Sequence, residues 1–99
     1  MVKQAHIYIS DGVIGIGFRA WVKLQAQKHG VFGWVKNTFD KPDIFGKSGG
    51  VEIVAKGEEK NIASFIKRIE LGNVLSSIKK IKTSWETSLH SFDDFTIIL

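Results

Sequence analysis

The stretch HIYISDGVIGIGFRAWVKLQAQKHGVFGWVKNT, residues 6–38, contains the signals of a strand, a glycine-rich loop, a helix and a second strand. Apolar and polar side chains alternate over residues 3–10, which predicts a half-buried strand. Residues 19–29 are rich in helix formers, with apolar side chains at every fourth position along one face. Residues 31–38 predict the next strand. A strand–helix–strand unit therefore begins the fold.

The rest of the chain supplies a second such unit. We predict a long hairpin connection over 39–50, a third strand over 51–57, a helix over 57–73, and strands over 78–86 and 94–98. The order β-α-β-β-α-β, with a short strand at the end, is that of an α+β split-βαβ, ferredoxin-like sandwich. We expect an antiparallel sheet with both helices on one face, in a single domain over 1–99.

Composition limits the possible functions. The 99 residues carry a net charge of +4 and no cysteine, so disulfides, thiolate metal sites and a cysteine nucleophile are excluded. No run of about 18 apolar residues is present, so we expect no membrane span. The first ten residues lack the apolar region of a signal peptide, and we expect a cytoplasmic protein.

The glycine-rich loop has the features of an anion site. Gly15 and Gly17 permit a concave backbone, and N–H groups beside a helix N-terminus attract anions. Arg19 adds a planar guanidinium that matches two phosphate oxygens. The spacing is neither that of a P-loop nor that of the dinucleotide fingerprint. The alternative is a tight turn that only lets the helix pack on the sheet.

Asn37 is a second polar residue with a suggestive position. Strand alternation places it on the same face as Val35, which we expect in the core. A carboxamide both donates and accepts hydrogen bonds, so beside a bound phosphate it is able to hold a water in line for attack.

These residues also resemble a known family. VIGIGFR, residues 13–19, resembles the V-Q-G-V-G-F-R of the acylphosphatases, and GVFGWVKN, residues 30–37, is similar to their G-L-x-G-W-V-x-N. The GN and SSI segments after the second helix and DFTI at 94–97 also resemble the family, so the resemblance covers nearly the whole chain. It implies an enzyme that hydrolyses acyl phosphates to a carboxylate and inorganic phosphate.

The resemblance also implies roles for particular residues. Arg19 would bind the phosphoryl group, and Asn37 would orient the attacking water. The backbone of the loop would complete the phosphate site, through Ile14, Gly15, Ile16, Gly17, Phe18 and Arg19. No metal, cofactor or covalent intermediate is implied. We expect a small-molecule acyl phosphate as substrate, phosphate or sulfate as a site anion, no membrane or nucleic-acid partner, and a monomer.

Two alternatives stay open, the first because of departures from the family pattern and the second because of the shared topology. Ile14 replaces the usual Gln, Asp11 stands where a small residue is usual, and the hairpin 39–50 is longer than the family's turn. A catalytically weak anion-binding or regulatory domain is therefore one alternative. The other is an RNA-binding module of the same topology. That module needs aromatic side chains on the first and third strands, where this sequence offers only Tyr8.

Overall fold

The computed structural model describes residues 2–10, 17–39, 49–72, 80–86 and 91–98. This part of the chain forms five strands and two helices. In chain order they are β1 (Val2–Ser10), α1 (Phe18–Lys28), β2 (Phe32–Thr38), β3 (Gly50–Glu58), α2 (Glu59–Leu71), β4 (Lys80–Glu86) and β5 (Phe95–Ile98).

The strands form one sheet in the order β4-β1-β3-β2-β5. The first four pair antiparallel, with β1 between β4 and β3, and β3 between β1 and β2. β5 instead lies parallel to β2. Because β4 runs opposite to β1 and β2, a chain that turns back after β4 runs in the direction of β2. The predicted ferredoxin-like α+β fold is confirmed, but the sheet is mixed rather than wholly antiparallel.

The hydrophobic core lies between the sheet and the two helices. Every fourth residue of the buried face of α1 (Phe18, Val22 and Ala26) packs into it, as the spacing predicts. From α2 the core takes Ile62, Phe65 and Ile69. The sheet contributes alternate residues, among them Ala5, Ile7, Ile9, Val35, Val51, Ile53, Ala55 and Phe95. Both helices therefore cover the same face of the sheet, and we call the opposite face the far face.

The bounds of these elements lie within two residues of those predicted. Gly30 and Gly72 follow the ends of α1 and α2 with φ values of 67° and 68°, as expected of helix C-terminal glycines. Neither of the two described helices is long and apolar enough to cross a membrane.

Candidate active site

On the helix-covered face, the start of α1 and the end of β2 lie at about the same height along the strand direction. Only residues 29–31 connect α1 to β2, so the helix and the strand run in opposite directions. The helix α1 packs on β2. The 11 residues of α1 rise about 16 Å. The strand from Phe32 to Asn37 advances about 17 Å. These lengths place Asn37 at about the height of the first turn of α1.

The first turn of α1 has backbone N–H groups that lack an acceptor within the helix. Gly17 is its N-cap residue, in the left-handed conformation with φ 73° and ψ 15°, and no side chain caps the helix. The first N–H groups of any helix lack an acceptor within it; here Trp21 N is the first to donate back, to Gly17 O at 3.2 Å. The turn holds no acidic side chain. It is therefore electrostatically suited to an anion.

Arg19 adds a full positive charge to this turn. It is the second residue of α1 and is half-buried. Among the described residues, none forms a hydrogen bond or an ion pair with its guanidinium. The charge and the five N–H donors of this side chain are thus uncommitted within the described part of the chain.

Asn37 faces the helices and carries an unpaired acceptor. Its backbone partner in β3 is Val51, which in turn pairs with Ile9 of β1, and both are core residues. The Asn37 side-chain oxygen Oδ1 is buried and has no hydrogen-bond partner among the residues that the structure describes. Leaving a buried acceptor unpaired costs about 1–3 kcal/mol. A water or a ligand that donates a hydrogen bond to Oδ1 would remove this cost.

Part of the predicted site can be compared with the structure. Gly17, Phe18 and Arg19 lie at the N-terminal end of α1, and Asn37 lies on the same face of β2 as Val35. Ile14, Gly15 and Ile16 lie outside the described residues, as do Asp11 and most of the hairpin, residues 40–48. The roles assigned to these residues stay predictions.

The far face holds a polar cluster that the sequence did not predict. Glu52 of β3 is 3% exposed. Its Oε1 accepts a hydrogen bond from Thr38 Oγ1 at 3.0 Å, and its Oε2 lies 2.5 Å from His6 Nε2. We call these three residues the Glu52 network. The only signal in the sequence was strand alternation, which places them on one face but does not predict a buried carboxylate.

The described residues can also be compared with what a metal site and an RNA-binding module require. No three of the described His, Asp and Glu side chains come together in a way that could hold a metal ion. The far face of β3 presents Glu52, Val54 and Lys56. The stacking platform of an RNA-binding module would require an aromatic side chain on that strand.

The comparisons with known proteins agree with the fold and the motifs. The family model for acylphosphatase matches residues 5–97. The acylphosphatase of Bacillus licheniformis is 35% identical over 94 residues, which cover 95% of this chain and 96% of that protein. The crystal structure of acylphosphatase from Bacillus subtilis superimposes with a TM-score of 0.81 at 33% identity, over the full length of both chains.

A further solved structure is much larger than this chain. Full-length HypF, in its phosphate- and nucleotide-bound form, contains a region that matches 99% of this chain with a TM-score of 0.83 and 32% identity; the match covers 12% of that protein. The family model, the sequence relatives of equal length and the solved structures all lead to one conclusion. This chain belongs to the acylphosphatase family of enzymes.

Proposed function

We propose that this chain hydrolyses small acyl phosphates by in-line attack of a water on phosphorus, with Arg19 holding the phosphoryl group and Asn37 orienting the water. Family membership supports the reaction class. The observation that carries the assignment of residues is the unpaired Oδ1 of Asn37, buried beside the free N-terminal turn of α1.

The phosphoryl group binds where three favourable interactions coincide. The N–H groups of the loop backbone from Ile14 to Arg19 donate to its oxygens, and the partial positive charge of the α1 N-terminus attracts it. The Arg19 guanidinium donates two parallel hydrogen bonds to two of the oxygens. Phosphate or sulfate, which present the same tetrahedral oxygens, occupy the same site.

Asn37 acts on the water rather than on the phosphoryl group. Its Oδ1 accepts one hydrogen bond from the water and thereby directs a lone pair of the water oxygen toward phosphorus. Because Oδ1 has no other partner, it does not have to break an existing hydrogen bond to do so. Such positioning lowers the entropic part of the barrier.

The reaction needs no general base of neutral pKa. A bond forms between the water oxygen and phosphorus while the bond between phosphorus and the acyl oxygen breaks. The electron pair leaves with the carboxylate, which is a good leaving group. One proton of the water passes to a phosphoryl oxygen and the other stays on the attacking oxygen, so inorganic phosphate is the second product. In the loose transition state, charge builds on oxygens that Arg19 and the backbone N–H groups already contact.

The test is hydrolysis of benzoyl phosphate by the purified chain in the presence of EDTA. We expect a rate well above that of buffer, and competitive inhibition by inorganic phosphate, which raises KM and leaves kcat unchanged. A rate equal to that of buffer would refute the proposed activity. Purely noncompetitive inhibition would show that phosphate binds somewhere other than the substrate site.

A further inference from the structure

The Glu52 network contains a buried carboxylate for which the proposed reaction has no use. The side chain of Glu52 is 5% exposed. It reaches Thr38 on β2 to one side and His6 on β1 to the other, and so joins three neighbouring strands of the far face. A carboxylate in such a place destabilises the fold unless its oxygens are paired. Both oxygens are paired here.

The hydrogen bonds of the network have a fixed direction. An ionised carboxylate only accepts, so His6 Nε2 carries the hydrogen of its contact with Glu52, and the Thr38 hydroxyl donates to the other oxygen. The His6 ring is held in turn by a parallel stack on Tyr8, with centroids 4.5 Å apart, and by the edge contact with Trp34 at 6.1 Å. These two ring contacts fix the position of the His6 ring, which in turn fixes one oxygen of the Glu52 carboxylate.

Thr38 brings this network to the candidate active site. It is the last residue of β2 and is 4% exposed. Asn37 directly precedes it, so the two share a peptide bond while their side chains lie on opposite faces of the sheet. The hydrogen bond from the Thr38 hydroxyl to Glu52 fixes the peptide between Asn37 and Thr38 from the far face of the sheet. Any shift of Thr38 moves the Asn37 backbone with it.

We infer that Glu52 is a positioning residue: through Thr38, and braced by His6, it fixes the end of β2 and thereby the direction in which Asn37 presents Oδ1. The inference rests on the proposed function in so far as Asn37 orients the water. It assigns the network an effect on turnover and none on phosphate binding, because none of its three residues lies on the face that carries Arg19.

The kinetic test uses one variant that removes a hydrogen bond of the network and one that removes its negative charge. Thr38→Val removes the hydroxyl at nearly constant shape, and Glu52→Gln removes the charge. We expect each to lower kcat about tenfold, since small misplacements of a positioning group have effects of this size, with the inhibition constant of phosphate unchanged. Thr38→Ser, which keeps the hydroxyl, should restore kcat. In an Asn37→Ala background, neither Thr38→Val nor Glu52→Gln should lower kcat further.

The matched control is Val54→Ala. Val54 lies on the same strand and the same face as Glu52, directly opposite His6 in the β1–β3 register, is 5% exposed, and has an apolar side chain that takes no part in the hydrogen bonds of the network. This variant should lose stability yet keep wild-type kcat at temperatures far below its Tm. If it lowers kcat as much as Glu52→Gln does, the network is merely structural and the inference is wrong.

A second readout does not depend on activity. The side-chain amide resonances of Asn37 in an NMR spectrum should shift in Thr38→Val and Glu52→Gln, and should stay in place in Thr38→Ser and Val54→Ala. Unchanged Asn37 resonances in both disrupting variants would overturn the inference. If the wild-type chain fails to hydrolyse benzoyl phosphate, the proposed function falls, and the NMR comparison still decides whether Glu52 positions Asn37.

Discussion

In the proposed site Arg19 and Asn37 contribute different properties, and substitutions at the residue scale should separate them. Arg19 supplies charge and donors at the helix N-terminus, whereas Asn37 supplies one unpaired acceptor on the neighbouring strand. Loss of Arg19 should therefore affect binding of the phosphoryl group and of the transition state alike. Loss of Asn37 should affect only the step in which water attacks.

The first residue-scale prediction concerns Arg19→Lys. The variant keeps the positive charge but replaces a planar fork of donors with a single ammonium, which cannot make two parallel bonds to phosphate. We expect kcat/KM to fall about 10- to 100-fold, the equivalent of one charged hydrogen bond, and Arg19→Ala to fall further. Steady-state kinetics with benzoyl phosphate measures both. Wild-type efficiency in Arg19→Lys would show that charge alone suffices.

The second residue-scale prediction concerns Asn37→Ala. The acceptor for the water is lost while the phosphate site remains, so we expect kcat to fall about 100-fold or more and the affinity for phosphate to stay within about twofold, since no contact with a charged group is removed. Turnover is measured with benzoyl phosphate, and phosphate affinity by calorimetry. A loss of phosphate affinity as large as the loss of kcat would place Asn37 on the phosphoryl group instead.

What the sequence reveals at this scale depends on which face a residue occupies. Strand alternation correctly predicted that Asn37 shares the face of Val35. The same alternation puts Glu52 on the polar face, where a carboxylate is normally solvated. Its burial follows from His6 and Thr38, which belong to the flanking strands. His6 and Thr38 lie beside Glu52 because of the strand order and register, which no short stretch of the sequence specifies by itself.

At the element scale, β2 depends on the absence of a side chain at Gly33. A Cβ atom there would lie 1.9 Å from the carbonyl oxygen of Val54, and Gly33 has φ 137°. We expect Gly33→Ala to destabilise the fold by about 3 kcal/mol or more and to lower Tm by about 12 °C or more. Thermal unfolding followed by circular dichroism measures the change.

Gly30→Ala is the matched control for that prediction. Gly30 also has a positive φ, 67°, but the nearest atom to its Cβ position is the Asn61 side chain at 3.8 Å. Only the backbone strain remains, so we expect a loss of about 1–2 kcal/mol. If the two variants unfold at the same temperature, the close approach of β3 is not what requires glycine at position 33.

The edge strand β5 shows which part of the sheet was not predictable. Its four residues were correctly predicted as a strand, but four residues do not specify a partner. The parallel pairing with β2 is guided by Gly33, whose N–H donates to Asp94 O at 3.0 Å just before β5 begins. The Asp94 side chain in turn accepts from Phe95 N at 2.8 Å. Such contacts between distant segments have no counterpart in local periodicity.

At the scale of the whole molecule, the fold was predictable because every element carries its own signal. Alternation in β1, β2 and β3 and the apolar spacing of α1 and α2 agree with one sandwich, and their consistency left few other topologies. The motifs that carry the proposed site were recognisable in the sequence, whereas the roles of Arg19 and Asn37 stay predictions. What could not be predicted were contacts that arise only after the sheet has formed, such as the Glu52 network.

The last prediction concerns the stability of the whole chain in phosphate. A ligand that binds only the folded state stabilises it by RT ln(1 + [L]/Kd), which is about 1.8 kcal/mol for ~20 mM phosphate and a Kd of about 1 mM. For a chain of this size that corresponds to a rise in Tm of about 7–14 °C. Sulfate should act in the same direction, and sodium chloride of equal ionic strength should not.

Controls are needed because phosphate and sulfate also stabilise folded proteins in general, through exclusion from the protein surface, and because the chain carries a net charge of +4 that attracts anions. Both effects persist almost unchanged in Arg19→Ala, since that variant loses only one of 14 Lys and Arg residues. The part of the Tm shift that Arg19→Ala abolishes is therefore the part due to the site. Asn37→Ala should keep the full shift, because in the proposed mechanism the Asn37 side chain binds water and not phosphate. An equal rise in Tm for wild type and Arg19→Ala would mean that the first turn of α1 does not hold the anion.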